Sequence, residues 1–264
     1  MERLMFDYAR ISEMLKFQKL GIWPIGTPEA FASGPFAVFR MGTRGWEYPW
    51  VLDQLENLPQ KAIILDCGCG TSGFPMELFR RGYRPAGLDF FVGKTQKTQG
   101  YGITDSYIDS LRGKVEFING NLPNIPAQDN TFDALTCISV MEHIVIEHRD
   151  DPGYQLRCLD EMKRVLKPGG LLICTYDTIL NEKVVYSERP EWGKTGWHYL
   201  HDIEYLQMKP KDHNMRPISR EEIIMDEDAF FIPPDLYFEH GYGAGFDHFG
   251  PYHRLTSVGF ALIK

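Results

Sequence analysis

The sequence predicts an α/β fold in which helices cover both faces of a mostly parallel, doubly wound sheet, and three observations carry that expectation. From residue 61 onward, short apolar runs alternate with helical patterns, the order that builds parallel βαβ units. One run, Phe132 to Val140, is almost continuously apolar, as a strand buried on both faces must be. The third is Lys61 to Pro75, KAIILDCGCGTSGFP, where an apolar strand stops at Asp66 and breaks into Gly68, Gly70 and Gly73 before a helix opens. Glycines there permit positive φ and let a ligand approach the backbone without meeting a Cβ, the form of a ligand-binding strand-to-helix turn.

The bulk properties agree with a globular protein. At 264 residues, with 43% hydrophobic and 24% charged residues, the chain suits one α/β domain with additions. A formal net charge of -8 counts against a polyanionic partner, so nucleic acid is not expected. The five cysteines, Cys67, Cys69, Cys137, Cys158 and Cys174, are odd in number and fall in or beside core elements. They suit reduced thiols of a cytoplasmic protein better than a disulfide framework. Cys67 and Cys69 have the look of half a metal site, but no second Cys or His pair stands at zinc-like spacing, so no metal is expected. The first residues carry no signal-like pattern and no apolar run is long enough to span a bilayer, which predicts no membrane contact.

Along the chain, residues 1–60 are expected to be a helical extension or lid. Leu4, Tyr8, Ile11 and Leu15 recur at helical spacing, a face for the domain or for a second copy in a homodimer. A Gly/Pro-rich connector follows, Gly21 to Pro35. A second helix is predicted from Pro49, since proline suits a first turn, with Val51, Leu52, Leu55 and Leu58 on its apolar face. The preceding Arg40 to Trp50, dense in Arg and aromatics, reads equally as a lid or as an anchor.

The domain proper is expected over residues 61–264. Strands are predicted at Ala62 to Leu65, Pro85 to Leu88, Val115 to Ile118, Phe132 to Val140 and Leu171 to Thr175. Helices are predicted from Phe74 to Arg81, stopped by Gly82, and on Leu159, Met162 and Leu166, stopped by the Lys167 to Gly170 turn; Gly93 to Leu111 is polar and weakly helical. An insertion rich in Trp and His occupies about residues 178–217, and Ser219 begins a capping-box-like helix start. Leu236 to Glu239 and Thr256 to Ile263 then read as a strand pair joined by a Gly/His/aromatic loop.

Gly68-x-Gly70-x-x-Gly73 formally satisfies the dinucleotide fingerprint, yet that match alone is weak. A dinucleotide site presents a helix N-terminus to a pyrophosphate, and a carboxylate just ahead of it is unfavourable. Asp66, two residues before the first glycine, is better matched to a ligand with positive charge.

ILDCGCGTSG resembles the first motif of the class I S-adenosylmethionine-dependent methyltransferases. The resemblance continues in order through GLDF, GNLPNIP, NTFDALTCISVMEHI and LKPGGLLICTY, covering about residues 61–177. It implies a seven-stranded sheet whose last strand is antiparallel, and S-adenosylmethionine as cofactor, with S-adenosylhomocysteine as product. Carried across by position, Asp66 with Gly68, Cys69 and Gly70 would hold the methionine part. Asp89, about twenty residues on, would accept from the ribose hydroxyls. Phe90 would lie against the adenine. Asn121, where many members have Asp, would accept from the adenine amino group, Leu122 would offer a backbone amide, and Ser139 would face the cofactor's amino group.

The acceptor site is expected at the carboxyl ends of the strands. Three His/aromatic-rich segments leave from there: the turn after Val140, the insertion with Trp192, Trp197, His198, Tyr199 and His201, and the loop from Glu239 to His253. A hydroxyl acceptor needs its proton removed, and His143, His248 and His253 are the candidate catalytic bases. Glu142-His143 and Glu147-His148 resemble the pairs of quinone-precursor O-methyltransferases and small-RNA 2′-O-methyltransferases, some of which bind Mg²⁺. Ser139 stands where those have a further Glu, so the ligand set is incomplete and hard cations want more oxygens. The expected activity is methyl transfer to a small-molecule acceptor, a sugar or phenolic hydroxyl foremost. A metal-assisted RNA 2′-O-methyltransferase, a non-catalytic S-adenosylmethionine-binding protein and a nucleotide-sugar oxidoreductase are the alternatives.

Overall fold

The computed structural model describes residues 4–5, 7–20, 42–90, 103–147, 151, 153–179, 206–212, 217–218, 220–231 and 255–264. In chain order its elements are β1 (Leu4–Met5), β2 (Asp7–Tyr8), α1 (Ile11–Lys19), α2 (Arg44–Leu55), β3 (Ile63–Cys67), α3 (Phe74–Arg80), β4 (Arg84–Asp89), α4 (Asp105–Ser110), β5 (Glu116–Asn119), β6 (Phe132–Ile138), α5 (Met141–Glu147), α6 (Tyr154–Val165), β7 (Leu166–Ile179), β8 (Lys209–Pro210), β9 (Pro217–Ile218), α7 (Arg220–Met225) and β10 (Leu255–Ile263).

The main sheet has the order β2-β10-β7-β6-β3-β4-β5, with β8 also paired to β10. Pairs among β7, β6, β3, β4 and β5 are parallel, whereas β10 runs antiparallel to β7, β2 and β8. The expected mostly parallel sheet with an antiparallel last strand is therefore present. The order reverses at β3, which lies between β6 and β4, so connections leave to both sides of its carboxyl end. In an open α/β sheet that switch point is where ligands bind. The β6 and β7 interiors are apolar on both faces and bury Ala134, Leu135, Cys137, Leu172, Ile173 and Cys174 completely. All five cysteines are buried and unbridged, and Cys137 lies opposite Cys174 in the β6–β7 register.

The strands and the first helix expected between Ala62 and Val140 carry over with shifts of one or two residues at element ends. Gly82, at φ 88°, stops α3 as expected: that left-handed conformation turns the Tyr83 N–H back to the Leu78 carbonyl at 3.1 Å. The weakly helical stretch condenses to α4, capped by the Thr104 hydroxyl accepting from the Tyr107 N–H at 3.3 Å. Leu166 belongs to β7 rather than α6, because the Lys167 to Gly170 turn is spanned by an irregular start to the strand. The proposed strand over 236–239 lies outside the described residues, as does Ser219.

Two expectations for the first sixty residues are corrected. Leu4 and Tyr8 are not helical: β1 pairs with β9 in a separate two-stranded sheet, and β2 pairs with β10, where the edge of the main sheet offers backbone hydrogen bonds that a first helical turn cannot match. The buried residues of α1 are accordingly Met14 and Phe17, while Ile11 is exposed. Pro49 does not begin a helix. It lies inside α2, which starts at Arg44, because burial of Trp46, Trp50, Val51, Leu52 and Leu55 outweighs one lost backbone hydrogen bond. Trp46 and Trp50 stack at 5.1 Å, and Trp50 packs against β10 so closely that a Cβ at Gly259 would come within 2.8 Å of its ring.

Candidate active site

Five neighbouring strands deliver their carboxyl ends to one edge, in the order β7, β6, β3, β4, β5. At about 4.8 Å per strand they set out a row of residues some 19 Å long. Asp177 lies within the far end of β7, Ser139 follows β6, the glycine turn follows β3, Asp89 ends β4, and Asn121 and Leu122 follow β5.

The glycine turn is held from beneath and from the side. The Gly68 and Cys69 N–H groups both donate to the Leu88 carbonyl, at 2.8 and 3.2 Å, which ties the turn to β4. Gly68 has φ 72°, and a Cβ there would fall 2.4 Å from Val140 Cγ2, so the turn after β6 packs directly against it. The Gly70 N–H donates to Asp89 Oδ2 at 3.1 Å, joining the turn to the second expected carboxylate. Tyr107 donates its hydroxyl to the Ser72 carbonyl at 2.7 Å, and Tyr48 of α2 stacks on Phe74 at 5.3 Å. The turn is thus fixed before any ligand arrives.

Asp66 sits below this turn, buried, and its Oδ1 accepts from the Thr136 hydroxyl at 2.8 Å. Burial pushes its carboxyl up to about 7, with the Thr136 bond opposing and the Asp89 charge adding to the rise. It is therefore a carboxylate that gains from a cationic partner more than an exposed one would. Cys69, also buried, has its thiol raised by burial and by the charges of Asp66 and Asp89, so only its backbone is chemically useful here.

Beyond β4, Phe90, next in sequence to Asp89, exposes 48% of its surface. Asn121 is exposed and its amide oxygen accepts from Asn124 Nδ2 at 3.5 Å, while Leu122 is buried.

The β6–β7 end holds groups that sequence reasoning missed. Ser139 stands at φ 49°, a conformation rare for a residue with a side chain. Its hydroxyl donates to Glu47 Oε1 at 2.8 Å, and the Thr175 hydroxyl donates to the same oxygen at 2.6 Å. Arg44 donates to both Glu47 and Ser139. Glu47 is fully buried, so its charge is met by one guanidinium and two hydroxyls instead of water. Close by, the Asp177 N–H reaches Glu142 Oε1 at 3.4 Å, and Asp177 Oδ1 accepts from Ser257 at 3.2 Å. Glu142 is buried and its Oε2 finds no hydrogen-bond partner among the described residues. Burial, then the charges of Asp177 and Glu47, push the Glu142 carboxyl well up. Burial and the Glu47 charge bring Asp177 to about 7, against the pull of Arg44, Thr43 and Ser257.

Of the three candidate bases, His143 lies on α5 next to this cluster. The residue is exposed, but the protein packed around its imidazole and the Arg44 charge hold its pKa below the usual value, so it is neutral near pH 7. His248 and His253 lie outside the described residues, as do Trp192, Trp197, His198, Tyr199, His201 and His240. Among the described residues no three His, Cys, Asp or Glu side chains are grouped so as to hold a metal ion. No described helix is long and apolar enough to cross a membrane. The missed residues, Arg44 and Glu47 above all, belong to the Arg/aromatic segment before Trp50; that composition was visible, but not which strand ends it would meet.

Comparison with known proteins places this edge in context. Residues 65–174 match the family described as a methyltransferase domain. Over 124 residues the chain is 36% identical to demethylmenaquinone methyltransferase of Bacillus licheniformis, covering 46% of this chain and 47% of that protein. Over 134 residues it is 30% identical to a tRNA (carboxymethyluridine(34)-5-O)-methyltransferase of Arabidopsis thaliana, covering 50% of this chain and 28% of that protein. The match thus spans about half the length of the first of these relatives and less of the second. In structure the chain resembles geranyl diphosphate C-methyltransferase from Streptomyces coelicolor A3(2), solved with Mg²⁺, geranyl diphosphate and S-adenosyl-L-homocysteine. The TM-score is 0.55 at 13% identity, covering 96% of this chain and 97% of that one, a likeness of fold.

Proposed function

We propose that the chain, whose residues 65–174 match a methyltransferase domain, is a class I methyltransferase that transfers a methyl group from S-adenosylmethionine to a small-molecule acceptor, a sugar or phenolic hydroxyl. The observation that carries this is the pair of buried carboxylates flanking the glycine turn. Asp66 lies beneath it and Asp89 is tied to it through the Gly70 N–H at 3.1 Å. Two carboxyl groups at the turn leave no place for a pyrophosphate and suit a ligand with a sulfonium, an ammonium and a ribose, whose positive charge draws the Asp66 proton off. The -8 charge and a relative named for the small molecule demethylmenaquinone support a small-molecule acceptor.

The residues fit that cofactor. Asp89 accepts from ribose hydroxyls, Phe90 supplies a flat surface for adenine, and the Leu122 N–H and the Asn121 amide serve its polar edge. Asp66 and the Gly68 to Gly70 backbone hold the methionine part. When bound, the cofactor supplies an activated methyl on a sulfonium. The chain's task is to aim an acceptor oxygen at it and take the hydroxyl proton. His143, neutral near pH 7 and beside the β6 end, is the described histidine placed to accept that proton.

Calorimetry with S-adenosylhomocysteine and with NAD tests the cofactor: binding of NAD alone would overturn the reading. Transfer of labelled methyl from S-adenosylmethionine to a panel of phenols, sugars and bulk tRNA tests the acceptor. Label in phenol or sugar ethers is the expected outcome, and label confined to tRNA would overturn the acceptor class.

A further inference from the structure

Helix α2 lies outside the matched segment of residues 65–174, yet it reaches the same strand ends. Arg44 and Glu47, one turn apart on that helix, form an ion pair over Ser139. Glu47 is the group that unites three elements, accepting from Ser139 after β6 and from Thr175 in β7 while paired with Arg44 in α2. Burying a carboxylate completely for packing alone is unfavourable, since apolar residues of the same volume would do as well or better. Ser139 is held at φ 49°, and its neighbour Val140 abuts Gly68. Whatever moves Ser139 therefore moves the wall of the glycine turn.

The strand order gives this wall a direction. Asp89 lies one strand beyond the turn on the β4 side, and the Arg44–Glu47 pair lies one strand beyond it on the β6 side. A ligand stretched along the row with its ribose at Asp89 brings its other end to a positive and a negative charge side by side. An amino-acid end, an ammonium with a carboxylate, has the complementary pair of charges.

We propose that α2 completes the cofactor site. Glu47 is the positioning residue that fixes Ser139 and Arg44 to receive the amino-acid end of S-adenosylmethionine. This rests on the functional reading above and assigns a part of that site to a segment beyond the domain match.

The test compares two probes by calorimetry on the full chain. S-adenosylhomocysteine carries the amino-acid end, and methylthioadenosine carries the nucleoside and sulfur without it. Glu47→Gln and Ser139→Ala are each expected to weaken S-adenosylhomocysteine about tenfold or more, the scale of a lost charged hydrogen bond, and to leave methylthioadenosine within about twofold. The double variant is expected to lose little beyond the stronger single one, because both act through one contact. Equal losses for both probes would mean a general structural role and overturn the proposal, as would additive losses in the double variant. Failure of the unmodified chain to bind either probe would overturn the functional reading, and this inference with it.

Discussion

At the residue scale, Asp66 decides how the site responds to pH. Burial holds its carboxyl at about 7, above the ordinary value of 3.8, so in the ligand-free chain it is half protonated near neutrality. A cation must displace that proton. S-adenosylhomocysteine is therefore expected to bind more tightly as pH rises through about 7 and to level off above it, followed by calorimetry between pH 5.5 and 8.5. Asp66→Asn should bind more weakly and lose this dependence; an unchanged profile would remove Asp66 from the cofactor site. Gly68 is the second residue at which one atom decides the outcome. Its φ of 72° and the 2.4 Å approach of Val140 leave no room for a Cβ. Gly68→Ala should cost about 2 kcal/mol or more in denaturant unfolding, from left-handed strain plus overpacking.

At the element scale, α2 anchors the first part of the chain to the sheet. Trp50 covers Gly259 of β10 and donates its indole N–H to Asp7 at 2.9 Å, and Trp46 donates to Glu13 at 2.5 Å. The two rings thus join α2 to β10, to β2 and to α1. Trp50→Ala is expected to destabilise the chain by about 3 to 5 kcal/mol, the usual loss for a buried Trp. Because α2 also carries Arg44 and Glu47, the same variant should weaken S-adenosylhomocysteine even under conditions where it remains folded by circular dichroism. Unaltered affinity would show that α2 and the site are energetically separate.

At the scale of the whole molecule, several acids are kept from ionising by the fold. Asp66, Asp177 and Glu13 each stand at about 7, burial being the largest cause in every case. A carboxyl raised in the folded state binds its proton there between the unfolded value and about 7, where the unfolded chain has already released it. Stability of the ligand-free chain therefore falls as pH rises through that window. His143, lowered by its surroundings, works in the opposite sense as pH drops below about 6.5, but it is one group against these three and the raised Glu142. Asp133, Glu161 and Asp226, lowered by their partners, withdraw stability only in more acid solution. The urea midpoint should accordingly be higher at pH 5.5 than at pH 7.5, with Asp66 alone contributing about 2 kcal/mol. The opposite order would mean that the three acids ionise freely.

The same division of scales separates what was legible from the chain and what was not. The βα rhythm, the glycine turn and the positions of Asp66 and Asp89 are local: a strand's apolar run, a left-handed turn and the spacing to the next strand end are written within some twenty-five residues. Sequence order then fixes which strand end each residue occupies. The helix start at Arg44, the strand at Asp7–Tyr8 and the carboxylate cluster are not local. Glu47 meets Ser139 across 92 residues and Thr175 across 128, and Pro49 was a sound reason to begin a helix until two buried tryptophans outweighed it. The sheet and its turn were legible in the chain because they depend on backbone conformation and periodicity, and the cofactor class because the motifs resemble a known family. That α2 lies over the site and that its acids are buried there emerged from the folded molecule, because desolvation and ion pairing depend on neighbours that the chain brings together last.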